Sequence, residues 1–207
     1  SAELGLKLEN IYIAGHRRYP THELLEQLKL QYGMPILAIS LTEVKSQLEN
    51  LSWIATAEVD RILPATLHIR IKERIPIAVW QSNKKLALLD QYGDVINTTE
   101  IWRYSDLPIV VGGEARFHFQ ALYEALVPFP TLWKDFKIAT RVGERRWNLK
   151  FKEGVEVKLP EQGFENAIKL LAELADQGKL FDNNIAYVDL RIGSRMYTKY
   201  RSLANND

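Results

Sequence analysis

The stretch from Trp53 to Val95, WIATAEVDRILPATLHIRIKERIPIAVWQSNKKLALLDQYGDV, constrains this chain more than any other segment. Ala55, Ala57 and Val59 alternate with Thr56, Glu58 and Asp60; Leu67, Ile69 and Ile71 then alternate with Thr66, His68, Arg70 and Lys72. A period of two turns one side of each strand into a core and the other toward water. Ile62-Leu63-Pro64 between them marks a turn, because proline fixes φ and has no N–H for a ladder. Glu73-Arg74-Ile75-Pro76 is a charged exit with a second proline, and a fresh set of short strands follows it. A hairpin therefore leaves one small domain there and the chain enters another.

Upstream, Pro20-Thr21 opens a helix with Leu24, Leu25 and Leu28 on one face and Glu23 near its positive end; Tyr32-Gly33-Met34-Pro35 breaks it. Ser40-Leu41-Thr42-Glu43 has capping-box spacing, with Leu41, Val44, Leu48 and Leu51 following at helical intervals. The order strand, helix, helix, strand, strand predicts two helices covering one face of a small sheet. Beyond Pro76, short strands are expected at Ile77–Val79, Leu86–Leu89 and Leu107–Val111, and a helix from Phe117 to Val127 is stopped by Pro128. Trp147, Leu149 and Phe151, the Glu153-Gly154 turn, and Val155, Val157 and Leu159 make a second hairpin. Phe164, Ala167, Ile168, Leu171, Leu174 and Ala175 form a helical stripe closed by Gly178. Tyr187–Leu190 and Met196–Tyr200 supply one or two closing strands. Two cores are expected, one around Leu24, Leu28, Val44, Leu48, Val59 and Ile69, the other around Trp147, Phe151, Val157, Ile168 and Leu171.

The 207 residues, 46% hydrophobic and 26% charged, suffice for one large or two small cores. A net charge of +1 argues against a dedicated nucleic-acid binder, which needs a basic excess to displace counterions. With no cysteine there is no disulfide and no thiolate zinc site. No run reaches the apolar length of a membrane span, and Ser1-Ala2-Glu3-Leu4 does not read as a signal peptide. His16, His22, His68 and His118 are scattered without ligand spacing, and no serine sits in a nucleophile elbow. Gly112-Gly113 lacks the lysine and third glycine of a phosphate cradle; Asp90 and Asp94 flank a turn that favours Asp for backbone reasons, and Asp106 stands apart. His16-Arg17-Arg18 reads as a solvated loop, with a partner contact left open. The expectation is a protein that is not an enzyme and holds no cofactor or metal, so that function lies in surfaces. The segment Ile192–Tyr200 is the candidate: β-formers interspersed with Arg195 and Lys199 suit an edge strand that admits a chosen, acidic partner. The same residues also read simply as the last strand of the core sheet.

The ordered set Trp53-Ile54, Leu63-Pro64, Glu73 to Trp80, Leu88-Leu89-Asp90, Gly93 and Val95 resembles the bacterial cell-division family FtsQ/DivIB. Leu8-Glu9-Asn10-Ile11-Tyr12-Ile13-Ala14-Gly15 is similar to the opening strand of a POTRA domain, and Tyr187-Val188-Asp189-Leu190-Arg191 to the family's penultimate segment. The resemblance implies an α+β chain with a POTRA domain at 1–74, a mixed β-rich domain at 75–201 built on an open antiparallel sheet with helices, and a tail at 202–207. It implies the extracytoplasmic part of a single-pass bacterial inner-membrane protein, whose short cytoplasmic tail and one membrane helix precede this region. It also implies a periplasmic divisome scaffold, enriched at the septum, that links early and late cell-division proteins, binds the FtsB–FtsL pair through its last strand and has other divisome proteins as further candidate partners. Carried over, that contact falls on Arg191, Ile192, Gly193, Ser194, Arg195, Met196, Tyr197, Thr198, Lys199 and Tyr200; Ile192-Gly193 departs from the Tyr-Asp of some members. The alternative is a POTRA-containing secretion or outer-membrane assembly protein.

Overall fold

The computed structural model describes residues 5–181, 185–192 and 197–200. The chain falls into two compact units, Ser1–Ile75 and Pro76–Asp207.

The first unit runs β1 (Asn10–Ala14), α1 (Thr21–Gln27), α2 (Leu41–Glu49), β2 (Ile54–Ile62) and β3 (Thr66–Glu73), the order expected from the sequence. Its sheet is β1-β3-β2, with β1 parallel and β2 antiparallel to the central β3. The alternation read from the sequence decides the packing: Leu67, Ile69 and Ile71 are buried while Arg70 and Lys72 face water. Leu24, Leu28, Val44 and Leu48 close the core from the helices, with Val59 packed at its margin. Ser40 caps α2, its Oγ accepting the Glu43 N–H at 3.3 Å. Arg61 donates to the Ile39 carbonyl and ties β2 to the short 3-10 turn Ile36–Ala38, which the sequence reading passed over.

The second unit runs β4 (Ala78–Ser82), β5 (Lys85–Leu89), β6 (Val95–Ile96), β7 (Ile109–Val111), α3 (Ala115–Leu126), α4 (Pro130–Asp135), β8 (Phe136–Val142), β9 (Arg146–Phe151), β10 (Glu156–Lys158), α5 (Phe164–Asp176), β11 (Ile185–Asp189) and β12 (Tyr197–Tyr200). Among the described residues its sheet has the order β12-β11-β10-β9-β8-β7-β4-β5-β6. The sheet is mixed rather than antiparallel throughout, since β4–β7, β7–β8 and β10–β11 pair in parallel. The connections explain this. Helices α3 and α4 lie between β7 and β8, and α5 lies between β10 and β11. Such crossovers return the chain to the end at which the previous strand began.

Neither α4 nor β8 was read from the sequence. Pro128 does end α3, but Pro130 then starts α4 at the position where a missing N–H costs nothing. The insertion has a packing role: Trp133 of α4 joins Tyr123 (5.2 Å between ring centroids) to Phe136 (5.7 Å). That aromatic series continues through Phe151 (6.0 Å) to Phe181 (5.9 Å). Trp147, Phe151, Val157, Ile168 and Leu171 are all buried in this core with Phe119 and Leu122. Gly93 turns the chain after β5 at φ +79°, where an added Cβ would lie 2.2 Å from the Arg116 carbonyl oxygen. Gly178 ends α5 as expected, its N–H donating to the Ala175 carbonyl and that of Lys179 to the Leu174 carbonyl, both at 2.9 Å.

Candidate partner-binding edge

The last strand, β12, pairs antiparallel with β11 and lies at the end of the strand order. Which of its backbone groups face outward follows from the ladder on the other side of β11. The Leu190 N–H donates to the Lys158 carbonyl at 3.0 Å, so Val188 and Leu190 turn their main chain toward β10. Tyr187 and Asp189 must then turn theirs toward β12, because successive residues of a strand point their peptide groups to opposite sides. Tyr187 stands opposite Lys199 and Asp189 opposite Tyr197. Tyr197 and Lys199 therefore spend their N–H and C=O groups on β11, while those of Thr198 and Tyr200 face the other side, where no strand pairs among the described residues.

Side chains alternate in the same register. Tyr197 and Lys199 share a face with Tyr187 and Asp189. Thr198 and Tyr200 take the α5 side and, with Leu174, Lys179, Leu180, Ile185 and Val188, line a cavity of about 210 Å³.

Behind the edge lies a buried carboxylate. Asp189 accepts from Arg191 Nε at 2.8 Å, from an Arg191 terminal nitrogen at 2.6 Å, from the Arg191 N–H at 3.0 Å and from the Tyr187 hydroxyl at 2.6 Å. The Arg191 guanidinium, with help from Tyr187 and against the pull of burial, holds the Asp189 carboxyl well below the usual carboxylate range. The sequence offered a signal for this group, since Tyr187, Asp189 and Arg191 are two apart and so fall on one side of an extended chain.

The residues expected to form the partner surface separate into three groups. Tyr197, Thr198, Lys199 and Tyr200 form β12. Arg191 and Ile192 are not in the edge strand; they follow β11 where the chain reverses, because Asp189 already stands opposite Tyr197. The Arg191 side chain is committed to Asp189, and Ile192 is 61% exposed. Gly193, Ser194, Arg195 and Met196 lie outside the described residues.

The other candidates are held in structural contacts or lie exposed on the surface. His16 Nε2 sits 3.0 Å from Thr21 Oγ1, and His68 packs edge-on against Tyr12 with ring centroids 5.1 Å apart. His22 and His118 are exposed on α1 and α3, and Asp106 is exposed in a loop. Among the described residues no group of three His, Asp or Glu is placed to hold a metal ion. Asp90 is buried and its Oδ1 accepts the N–H groups of Tyr92 and Asp94 at 2.9 and 3.0 Å, the turn role read for it. The Gly112 carbonyl accepts from Trp80 Nε1 at 2.7 Å. The basic loop is exposed but anchored: the Arg17 and Arg18 N–H groups donate to Glu73 Oε1 at 2.7 and 2.8 Å, and the Arg18 guanidinium lies 3.4 Å from the Trp53 ring centroid. Among the described residues no helix is long and apolar enough to cross a membrane.

Two family models match the chain, "POTRA domain, FtsQ-type" over residues 6–74 and "Cell division protein FtsQ/DivIB, C-terminal" over residues 78–191. The cell division protein FtsQ of Rickettsia bellii is 38% identical over 197 residues, 95% of this chain and 73% of that protein. FtsQ of Rickettsia conorii is 37% identical over the same shares, and FtsQ of Rhizobium meliloti 31% identical over 92% of this chain and 62% of that protein. A solved structure of the major extracytoplasmic domain of DivIB from Geobacillus stearothermophilus aligns with 51% of this chain and 97% of its own at 18% identity and a TM-score of 0.36, too loosely to carry an argument.

Proposed function

Because the chain belongs to the FtsQ/DivIB family of cell division proteins, we propose that it acts as a non-catalytic divisome scaffold whose second unit takes a strand from the FtsB–FtsL pair beside β12. The observation that carries this reading is the outward-facing backbone of Thr198 and Tyr200 on a strand with one neighbour among the described residues. An incoming extended segment gains main-chain hydrogen bonds there, and its alternate side chains meet the cavity below β12 on one side and Lys199 on the other. On the same reading this region lies in the periplasm at the septum, anchored by a membrane helix upstream, which membership of a cell-division family supports. The secretion and outer-membrane assembly reading has no observation in its favour, since the POTRA match is of the FtsQ type.

Proline substitution tests the pairing, because proline removes one N–H and is tolerated only at an unpaired edge position. Thr198→Pro is expected to abolish binding of the extracytoplasmic segments of FtsB and FtsL from the same organism, with the fold retained. Lys199→Pro removes a bond made to β11 and is expected to destabilise the domain itself. Parental affinity in a folded Thr198→Pro protein would overturn the reading.

A further inference from the structure

Large apolar side chains are exposed in the first unit, and most of them gather at one end of its sheet. Among its described residues six are exposed, Tyr12, Tyr32, Leu37, Ile62, Leu63 and Ile75. Tyr32 and Leu37 lie in the connection between α1 and α2, and Ile62 and Leu63 at the turn between β2 and β3. Strand pairing shows that the two places share an end. Asn10, where β1 begins, stands beside Thr66, where β3 begins, and Ile62, the last residue of β2, stands on the other side of Thr66. The Glu9 N–H donates to the Ala65 carbonyl at 2.8 Å, which ties the approach to β1 to that turn. The α1–α2 connection is held there too. The Leu8 N–H donates to the Met34 carbonyl and the Gly33 N–H to the Leu8 carbonyl, both at 2.8 Å, and Arg61 donates to the Ile39 carbonyl. No Asp, Glu, Lys or Arg occurs from Leu30 to Thr42 or from Ile62 to Ile69, while Lys7 and Lys29, with Glu9, are exposed at the borders. Apolar side chains exposed singly are ordinary; a group of them without charges among them marks a contact surface.

On the membrane-anchored reading above, we propose that this end of the first unit rests on the bilayer surface. Tyr32, Leu37, Ile62 and Leu63 enter the headgroup region, and Lys7 and Lys29 meet lipid phosphates. A chain arriving from the membrane enters the sheet through the segment before β1, so this is the end delivered to the lipid. Tyrosine suits that depth because its ring is apolar and its hydroxyl wet, and the leucines and isoleucine leave water for the acyl boundary. Four side chains make a weak contact by themselves, but the anchor holds them at high local concentration against the bilayer. The second attachment fixes the tilt of the first unit, which a single tether leaves free.

Depth-dependent quenching tests the proposal. The full-length protein is reconstituted in vesicles of phosphatidylethanolamine and phosphatidylglycerol, with an environment-sensitive fluorophore on a single cysteine, Leu37→Cys or Leu63→Cys. Lys72→Cys is the control: it is exposed and six residues along β3 from Thr66, roughly 20 Å away at strand rise. The labels at 37 and 63 are expected to shift to the blue and to lose most of their emission to lipids quenched just below the headgroup, while the label at 72 keeps its emission. Tyr32→Asp/Ile62→Asp is expected to abolish the quenching at both sites. Protein that floats with the vesicles but leaves both labels in water would overturn this proposal and spare the anchor. Labels shielded only after the FtsB–FtsL segments are added would also overturn it, making this end a protein contact. Full-length protein that fails to float would overturn the anchored reading and this proposal with it.

Discussion

Asp189 has a more exacting environment than its position on a terminal sheet hairpin suggests. Its carboxylate is buried, yet Arg191 and Tyr187 fill its acceptor positions, so the charged form is favoured and its pKa is depressed. A depressed pKa contributes stability that is present above the unfolded-state value, about 4, and is lost as pH falls below it toward the folded-state value. Asp189→Asn is expected to destabilise the second unit by roughly 1.5–3 kcal/mol at neutral pH, the range for hydrogen bonds to charged groups. In chemical unfolding the gap from the parent should narrow below about pH 4; a gap independent of pH would show that the carboxylate charge is not what stabilises. The alternation of Tyr187, Asp189 and Arg191 was legible in the sequence, whereas the burial of Asp189 was not. Burial depends on β10 and β12 arriving on either side, which no local pattern records. Asp90 was legible because its partners, Tyr92 and Asp94, lie within the same turn.

Among elements, those with local start or stop signals were the readable ones. The capping residue of α2 and the terminal glycine of α5 both do what their spacing implies, and Ser40→Ala is expected to cost about 1 kcal/mol, measurable by denaturant unfolding of the chain. No change in stability would show that the 3.3 Å contact to Glu43 contributes little. β8 and α4 were missed because neither has a strong period of its own. α4 is six residues long and follows a proline that reads as a stop, and it is fixed by Trp133 reaching Tyr123 and Phe136. β8 is held by pairing with β7 and β9, distant and near in sequence, and its composition FKIATRV alternates only weakly. The closing strand was also read too long, because the reversal after Asp189 leaves Ile192 in the connection rather than in the strand.

At the scale of the whole molecule, the two hydrophobic clusters each contain the core residues expected of them, on either side of the Arg74–Pro76 exit. That division was legible because a charged, proline-bounded exit interrupts two strand-rich patterns. The parallel pairings were not, since they depend on where α3, α4 and α5 deliver the next strand. They matter to the proposed function because α5 carries the chain across to β11, with β12 beyond it at the margin, unpaired on its other side among the described residues. This side is where we propose that a partner strand is accepted. Amide hydrogen exchange, resolved by residue, tests it most directly. On addition of the FtsB–FtsL extracytoplasmic segments, the Thr198 and Tyr200 amides should slow markedly, while those of Tyr197 and Lys199, already bonded to β11, should change far less. Unchanged exchange at Thr198 and Tyr200 with the partner demonstrably bound would contradict it.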